Sequence, residues 1–218
     1  MPPPSNLPSD LPSGQIDTAT SGGSASASAP AGALGLEQLL PHVPLDFVAG
    51  TLGSAVTPAQ HEMVLNSPRM RQRVSHRLSE DLELPLTWPD SPALRVLTCG
   101  SGTQVDRAVT LAGALRLSGD IRRIVDARAR AALIDLLGAA AYELVLDQDD
   151  RGGRCDGIAL TRERIYEAGS AVLTAFLASL PDPVSRAIQL RFGSDFDRPT
   201  PAPEDGAVFE LAAERCDA

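Results

Sequence analysis

Apolar side chains recur at intervals of three and four residues through most of the chain, and this spacing decides what it folds into. Thr57-Pro58 and Ser67-Pro68 each set a hydroxyl before a proline, the pairing of an N-cap with a first helical residue. After the second pair, Met70, Val74, Leu78 and Leu82 follow every four residues, with Arg69, Arg71, Arg73 and Arg77 among them. That is an amphipathic helix ending before Pro85. Gln104 to Leu117 predicts another, with Val105, Ala108, Ala112 and Leu115 on one stripe. Ser118-Gly119-Asp120 reads as a tight break. Ile121, Ile124 and Val125 then start a short helix that bends into a longer one carrying Leu133, Leu136, Leu137, Ala140 and Leu144. Thr161 caps the last long helix, whose Ile165, Ala168, Val172, Phe176 and Leu180 form its buried face, and Pro181-Asp-Pro183 stops it.

Strand signals are few. Pro85-Leu-Thr-Trp88 and Leu94-Arg-Val-Leu97 are candidates, and Ala187 to Phe192 reads as a lone strand or a short helix. The expected fold is mainly α, a single compact helical domain with at most a minor β element. Hydrophobic residues make up 43% of the 218, enough for a core, while aromatics are only 4%. The core is therefore built from Leu, Val, Ile and Ala. Residues 1–33 are rich in Pro, Ser, Gly and Ala, including Ser21-Gly-Gly-Ser-Ala-Ser-Ala-Ser, and read as a disordered tail. The helical domain is expected over residues 34–197. Residues 198–218 read as a loose C-terminal segment, with one or two helical turns between Val208 and Arg215.

Charge narrows the function. The net charge is −9, and all 19 basic residues are Arg. An acidic chain is repelled by phosphate backbones and anionic lipid, which disfavours nucleic-acid binding. Cys99, Cys155 and Cys216 form no CxxC pair and no disulfide framework, which suits a reducing compartment. No secretory signal or bilayer-length apolar run is visible, so the expected location is cytoplasmic.

The motifs that suggest chemistry are incomplete. Leu94 to Gly100-Ser-Gly102, read as a strand entering a Gly-x-Gly turn before a helix, resembles the start of a nucleotide or S-adenosylmethionine loop. Its third glycine is missing, and helices rather than βα alternation follow. Asp147 and Asp149 fit the first two ligand positions of an EF-hand, but Arg151 and Ile158 stand where ligands are required. His42, His61 and His76 lack partners at metal-ligand spacing. No cysteine has a histidine nearby in sequence to activate it, and Cys99 reads as a buried inert thiol. Glu80-Asp81 and Asp149-Asp150 sit in polar stretches unlike the unequal environments of catalytic carboxylates. No catalytic, cofactor-binding or metal-binding residue is assigned. Arg122-Arg123 with Arg128 and Arg130 instead form a basic patch around the central bend, which in an acidic chain is usually a solvated face; its functional reading, with Asp120 added as a partner-binding residue, is docking to an acidic protein partner through Arg–carboxylate forks.

Several stretches carry a resemblance. Ala108-Val-Thr-Leu-Ala-Gly-Ala-Leu-Arg-Leu-Ser-Gly-Asp-Ile-Arg-Arg-Ile, running on to Ala131-Ala-Leu-Ile-Asp-Leu-Leu-Gly, resembles a pattern of the SctK family (YscK, OrgA, MxiK). Ala168-Gly-Ser-Ala-Val-Leu-Thr-Ala-Phe-Leu-Ala-Ser-Leu-Pro and Val184-Ser-Arg-Ala-Ile-Gln-Leu-Arg-Phe are similar to its apolar helix and terminal segment. Val64-Leu-Asn-Ser-Pro-Arg-Met looks like its His-Pro-Ser start, with Asn66 where His often stands. The resemblance covers roughly residues 60–195 and rests on packing and turn features. It implies a non-enzymatic adaptor of the type III secretion sorting platform. Such a protein bridges the cytoplasmic domain of the inner-membrane ring protein (SctD) to the pod protein (SctQ), and indirectly to SctL and SctN, at the cytoplasmic face of the inner membrane. A small S-adenosylmethionine- or nucleotide-binding enzyme using Gly100 and Gly102, and a secretion chaperone, remain the alternatives.

Overall fold

A computed structural model describes residues 34–52, 56–148, 160–192 and 205–217. Among these the chain forms twelve α-helices and one two-stranded antiparallel sheet, so the fold is mainly α. Strand β1 (Leu34–Gly35) leads into α1 (Leu36–Leu39), a 3-10 turn (Leu40–His42), α2 (Leu45–Leu52), α3 (Pro58–Asn66) and α4 (Pro68–Leu82). Strand β2 (Thr87–Trp88) follows, then α5 (Pro92–Cys99), α6 (Gly102–Arg116), α7 (Ser118–Arg122), α8 (Ala127–Leu137) and α9 (Ala139–Asp147). The chain ends with α10 (Arg162–Ser179), α11 (Asp182–Gln189) and α12 (Asp205–Asp217). Leu34 pairs with Trp88 and Gly35 with Thr87, which covers the Trp88 ring.

Local signals set the helix starts. Thr57 accepts from the Gln60 amide while the Gln60 side chain returns a bond to the Thr57 amide, a complete capping box. Ser67 caps α4, which ends at Leu82 with Glu83 in the left-handed region, φ 53°. Val74 and Leu78 are buried as their spacing predicts, but Met70 is 42% exposed. The first turn of α4 therefore lies beyond the edge of the core.

Helix α6 is the centre of the molecule. Val105, Ala108, Val109, Leu111, Ala112, Ala114 and Leu115 are all buried, because α5, α10 and α12 cover it on several sides. Its small residues let neighbours approach closely. At the α6–α10 crossing Gly113 meets Gly169, and a Cβ on either would overlap the carbonyl of the opposite helix.

The C-terminal segment departs from its expected looseness. Residues 205–217 form a 13-residue helix rather than one or two turns, and it docks into the core. Phe209 is fully buried, its ring 5.1 Å from that of Phe176 on α10, with Val208, Ala212 and Ala213 buried beside it. Glu210 fastens α12 to the start of α5, accepting from Ser91 Oγ at 2.9 Å and from the Ala93 amide at 3.1 Å. Residues 198–204 and the 1–33 tail lie outside the described residues.

Other boundaries differ from expectation. Leu94–Leu97 is helix rather than strand, because Ser91 caps α5 and Pro92 opens it. Of the two readings of Ala187 to Phe192, the helix holds for Ala187 to Gln189 at the end of α11, and a turn follows. The tight break expected at Ser118-Gly119-Asp120 falls at Leu117, a single non-helical residue, after which the chain re-enters a helix with Ser118 and Gly119 buried. That helix ends at Arg122, so Ile124 and Val125 belong to the connection before α8. The longer helix expected through Leu144 is cut at Gly138, whose φ of 84° favours glycine and separates α8 from α9.

Candidate interaction surface

The basic residues singled out in the sequence converge on the connection between α7 and α8. Arg122 Nε donates to the Leu146 carbonyl at 2.9 Å, tying the end of α7 to the end of α9. Arg123 lies 3.8 Å from the largely buried Asp120 carboxylate, one turn back. Arg130 reaches from α8 to the Ile124 carbonyl at 3.4 Å, and Arg128 is exposed beside it. Asp126 starts α8, its carboxylate accepting from the Ala129 amide at 2.8 Å. Much of the patch is thus spent on holding the corner in one shape. Arg122 and Arg130 orient the connection, Arg123 pairs with Asp120 while keeping about half its side chain exposed, and Arg128 is exposed.

The sequence reading missed the apolar member of this surface. Val125, expected at the head of a helix, is 89% exposed at the crest of the connection, while Ile121 behind it is fully buried and Ile124 half-buried. The helix break after Arg122 leaves Val125 exposed on the same short connection that carries Arg123 and leads to Arg128. Apolar knobs with a charged rim are how protein interfaces place their anchor residues.

A second concave region lies between α6, α8, α9 and the ends of α10 and α12, with a volume of about 700 Å³. Leu111, Leu137 and Leu144 supply its apolar floor, and Asp106, Arg107 and Arg162 part of its charged rim. Cys216 borders it, and burial pushes that thiol above its ordinary pKa, against the smaller pull of Arg107. Tyr166 Oη donates to Asp106 at 3.3 Å; burial and then the Asp106 charge raise its phenol pKa. Both groups are held in their neutral forms.

The Gly100–Gly102 turn joins two helices instead of following a strand. Ser101 caps α6 in a capping box with Gln104, which occupies the helix start an anion would use. Arg191 closes the other side, donating to the carbonyls of Gly100 at 2.6 Å, Leu97 at 2.8 Å and Val96 at 3.4 Å. A guanidinium therefore satisfies the open carbonyls at the end of α5.

Cys99 differs from its expected state, being exposed at the C-terminal end of α5. A histidine distant in sequence does stand beside it: His42 hydrogen-bonds the Cys99 backbone rather than its sulfur. Burial chiefly, and then the Arg191 charge, lower the His42 pKa against that hydrogen bond. Most of the acidic loop beginning at Asp147, including Asp149 and Asp150, lies outside the described residues, as does Cys155. Among the described residues, no group of three or more His, Cys, Asp or Glu could hold a metal ion, and no helix is long and apolar enough to cross a membrane. Comparison with protein-family models, curated proteins and solved structures finds no match for this chain.

Proposed function

We propose that this protein is a non-enzymatic, SctK-like adaptor of the type III secretion sorting platform. It joins the cytoplasmic domain of an SctD-like ring protein to an SctQ-like pod protein, and through it to SctL and SctN. The observation that carries a protein-binding role is the α7–α8 corner, where Val125 is 89% exposed between Arg123 and Arg128 in the chain. An exposed apolar side chain on a connection that also carries exposed arginines suits a partner surface with an apolar notch and carboxylates near it. The corner follows the Leu-rich helix and Gly-Asp-Ile-Arg-Arg step on which the family resemblance rests. The secretion-specific part of the proposal rests on that resemblance, which supplies the names of the two partners.

Co-purification of the full chain with the ring protein's cytoplasmic domain and the pod protein tests the bridge. A ternary complex is the expected product. Folded protein that retains neither partner would remove the adaptor reading.

A further inference from the structure

The outer face of α4 is charged against the dipole of its own helix. Residues at intervals of four, three and four put Arg69, Arg73, His76 and Glu80 in one exposed stripe, opposite the buried Val74 and Leu78. Gln72, Arg77 and Asp81 flank it, and together these side chains line a shallow open depression. A helix favours anions at its N-terminal end and cations at its C-terminal end. Helix α4 has no acid in its first turn and no base in its last. Arg69 stands instead at the start, and Glu80 and Asp81 at the end. Arg71, off the stripe, pairs with Glu37, and Arg77 with Asp81 at 3.4 Å. Arg69 and Arg73 have no ion-pair partner among the described residues. A local rule broken at exposed positions points to a use outside the helix.

The order of the charges identifies that use. The stripe runs from positive to negative and is symmetric in spacing about a point between Val74 and Ser75. A second α4 laid antiparallel sets Arg69 opposite Glu80 of the other copy and Arg73 opposite His76, and a twofold axis repeats both pairs. Each misplaced charge then also meets the favourable end of the other helix's dipole. A uniformly acidic partner would be repelled by Glu80 and Asp81, and a uniformly basic one by Arg69 and Arg73. A fitting surface carries both signs in reverse order, and α4 itself does so. Met70, 42% exposed at the edge of the stripe, adds apolar contact.

We propose that α4 is a homotypic contact, through which two copies of this chain associate about a twofold axis with their α4 helices antiparallel. One 15-residue helix face offers less than the roughly 800 Å² per partner of a standard interface, so the association is weak and reversible. It needs neither ring nor pod protein, so its failure would leave the adaptor reading standing.

Sedimentation velocity of the full chain over a concentration series, with two charge variants, tests this contact. Arg69→Glu with Arg73→Glu makes the stripe wholly negative, and Glu80→Arg with Asp81→Arg makes it wholly positive. Both changes agree with the helix dipole, which opposes the loss of the exposed Arg77–Asp81 pair, so each variant should keep its helical signal and a melting temperature close to the wild type's. The wild type should show a monomer–dimer equilibrium, and each variant alone should weaken it at least about tenfold. Mixing the two variants should restore a dimer containing one of each. A wild type that stays monomeric throughout, a dimer that survives either variant, or a mixture that fails to reassociate would each overturn the proposal.

Discussion

Gly113 and Gly169 face each other where α6 crosses α10, each standing where the other helix's backbone leaves no room for a methyl group. A Cβ on Gly113 would overlap the Ile165 carbonyl, and one on Gly169 the Val109 carbonyl. Neither obstacle is a side chain that can swing aside. Gly113→Ala and Gly169→Ala should each destabilise the fold by at least about 3 kcal/mol, the upper range for overpacking. Urea unfolding followed by circular dichroism measures this. The same change at Gly102, with open space around its Cβ position, serves as the control.

Helix α12 belongs to the core, and removing its anchor should show that. Phe209→Ala is expected to cost about 3–5 kcal/mol, the usual range for a buried phenylalanine. Glu210→Ala removes the two bonds to the start of α5 and should cost about 1–3 kcal/mol. A C-terminal segment that merely lay on the surface would leave the unfolding midpoint unchanged in both variants.

Arg191 is predicted to act through its shape as well as its charge. Its guanidinium spans three carbonyls at the end of α5, which the compact ammonium of lysine does not match. Arg191→Lys should therefore destabilise nearly as much as Arg191→Ala, by about 1.5–3 kcal/mol for lost bonds to a charged group. Full stability in the lysine variant would show that charge alone is used.

The neighbouring histidine gives stability a pH dependence of known sign. Burial first, and then the Arg191 charge, hold the His42 pKa below its ordinary value, so the folded state prefers neutral imidazole. Unfolded histidine titrates near pH ~6.5. The His42 contribution is therefore fully present above that pH and is lost as pH falls through the lowered folded value. Urea midpoints from about pH 8 to about pH 5 should fall, and less steeply in His42→Gln. An equal slope in both proteins would remove His42 as a source.

How far the fold was legible depended on whether its determinants were local. Thr57, Ser67 and Thr161 sit before their helices as caps, and the helices begin there. Ser91-Pro92 carries the same signal and opens α5 as a helix, against the strand expected over Leu94–Leu97. Gly138 was legible in principle: a lone glycine inside a helical pattern marks a possible break. The positions that sequence could not supply depend on distant partners. Arg191 is 91 residues from the Gly100 carbonyl it binds, and Glu210 is 119 from Ser91. The arginines of the corner are legible from their spacing around the central bend, whereas its apolar member is not. Val125 is exposed only because α7 stops at Arg122 and α8 waits for Asp126.

The central claim is that Val125 and its arginines form a protein-docking corner, and a binding titration tests it most directly. The full chain, its Val125→Asp variant and its Arg123→Glu/Arg128→Glu variant are each titrated against the ring protein's cytoplasmic domain and the pod protein. Val125 and Arg128 are exposed, whereas Arg123→Glu gives up the 3.8 Å pair with Asp120, so the unfolding midpoints of the same samples, with Arg128→Glu alone beside them, separate a loss of binding from a loss of fold. The account predicts wild-type binding to both partners, with the affinity for one of them falling by at least about tenfold, or 1.4 kcal/mol, in both variants. Wild-type affinity for both partners in both folded variants would contradict the docking corner.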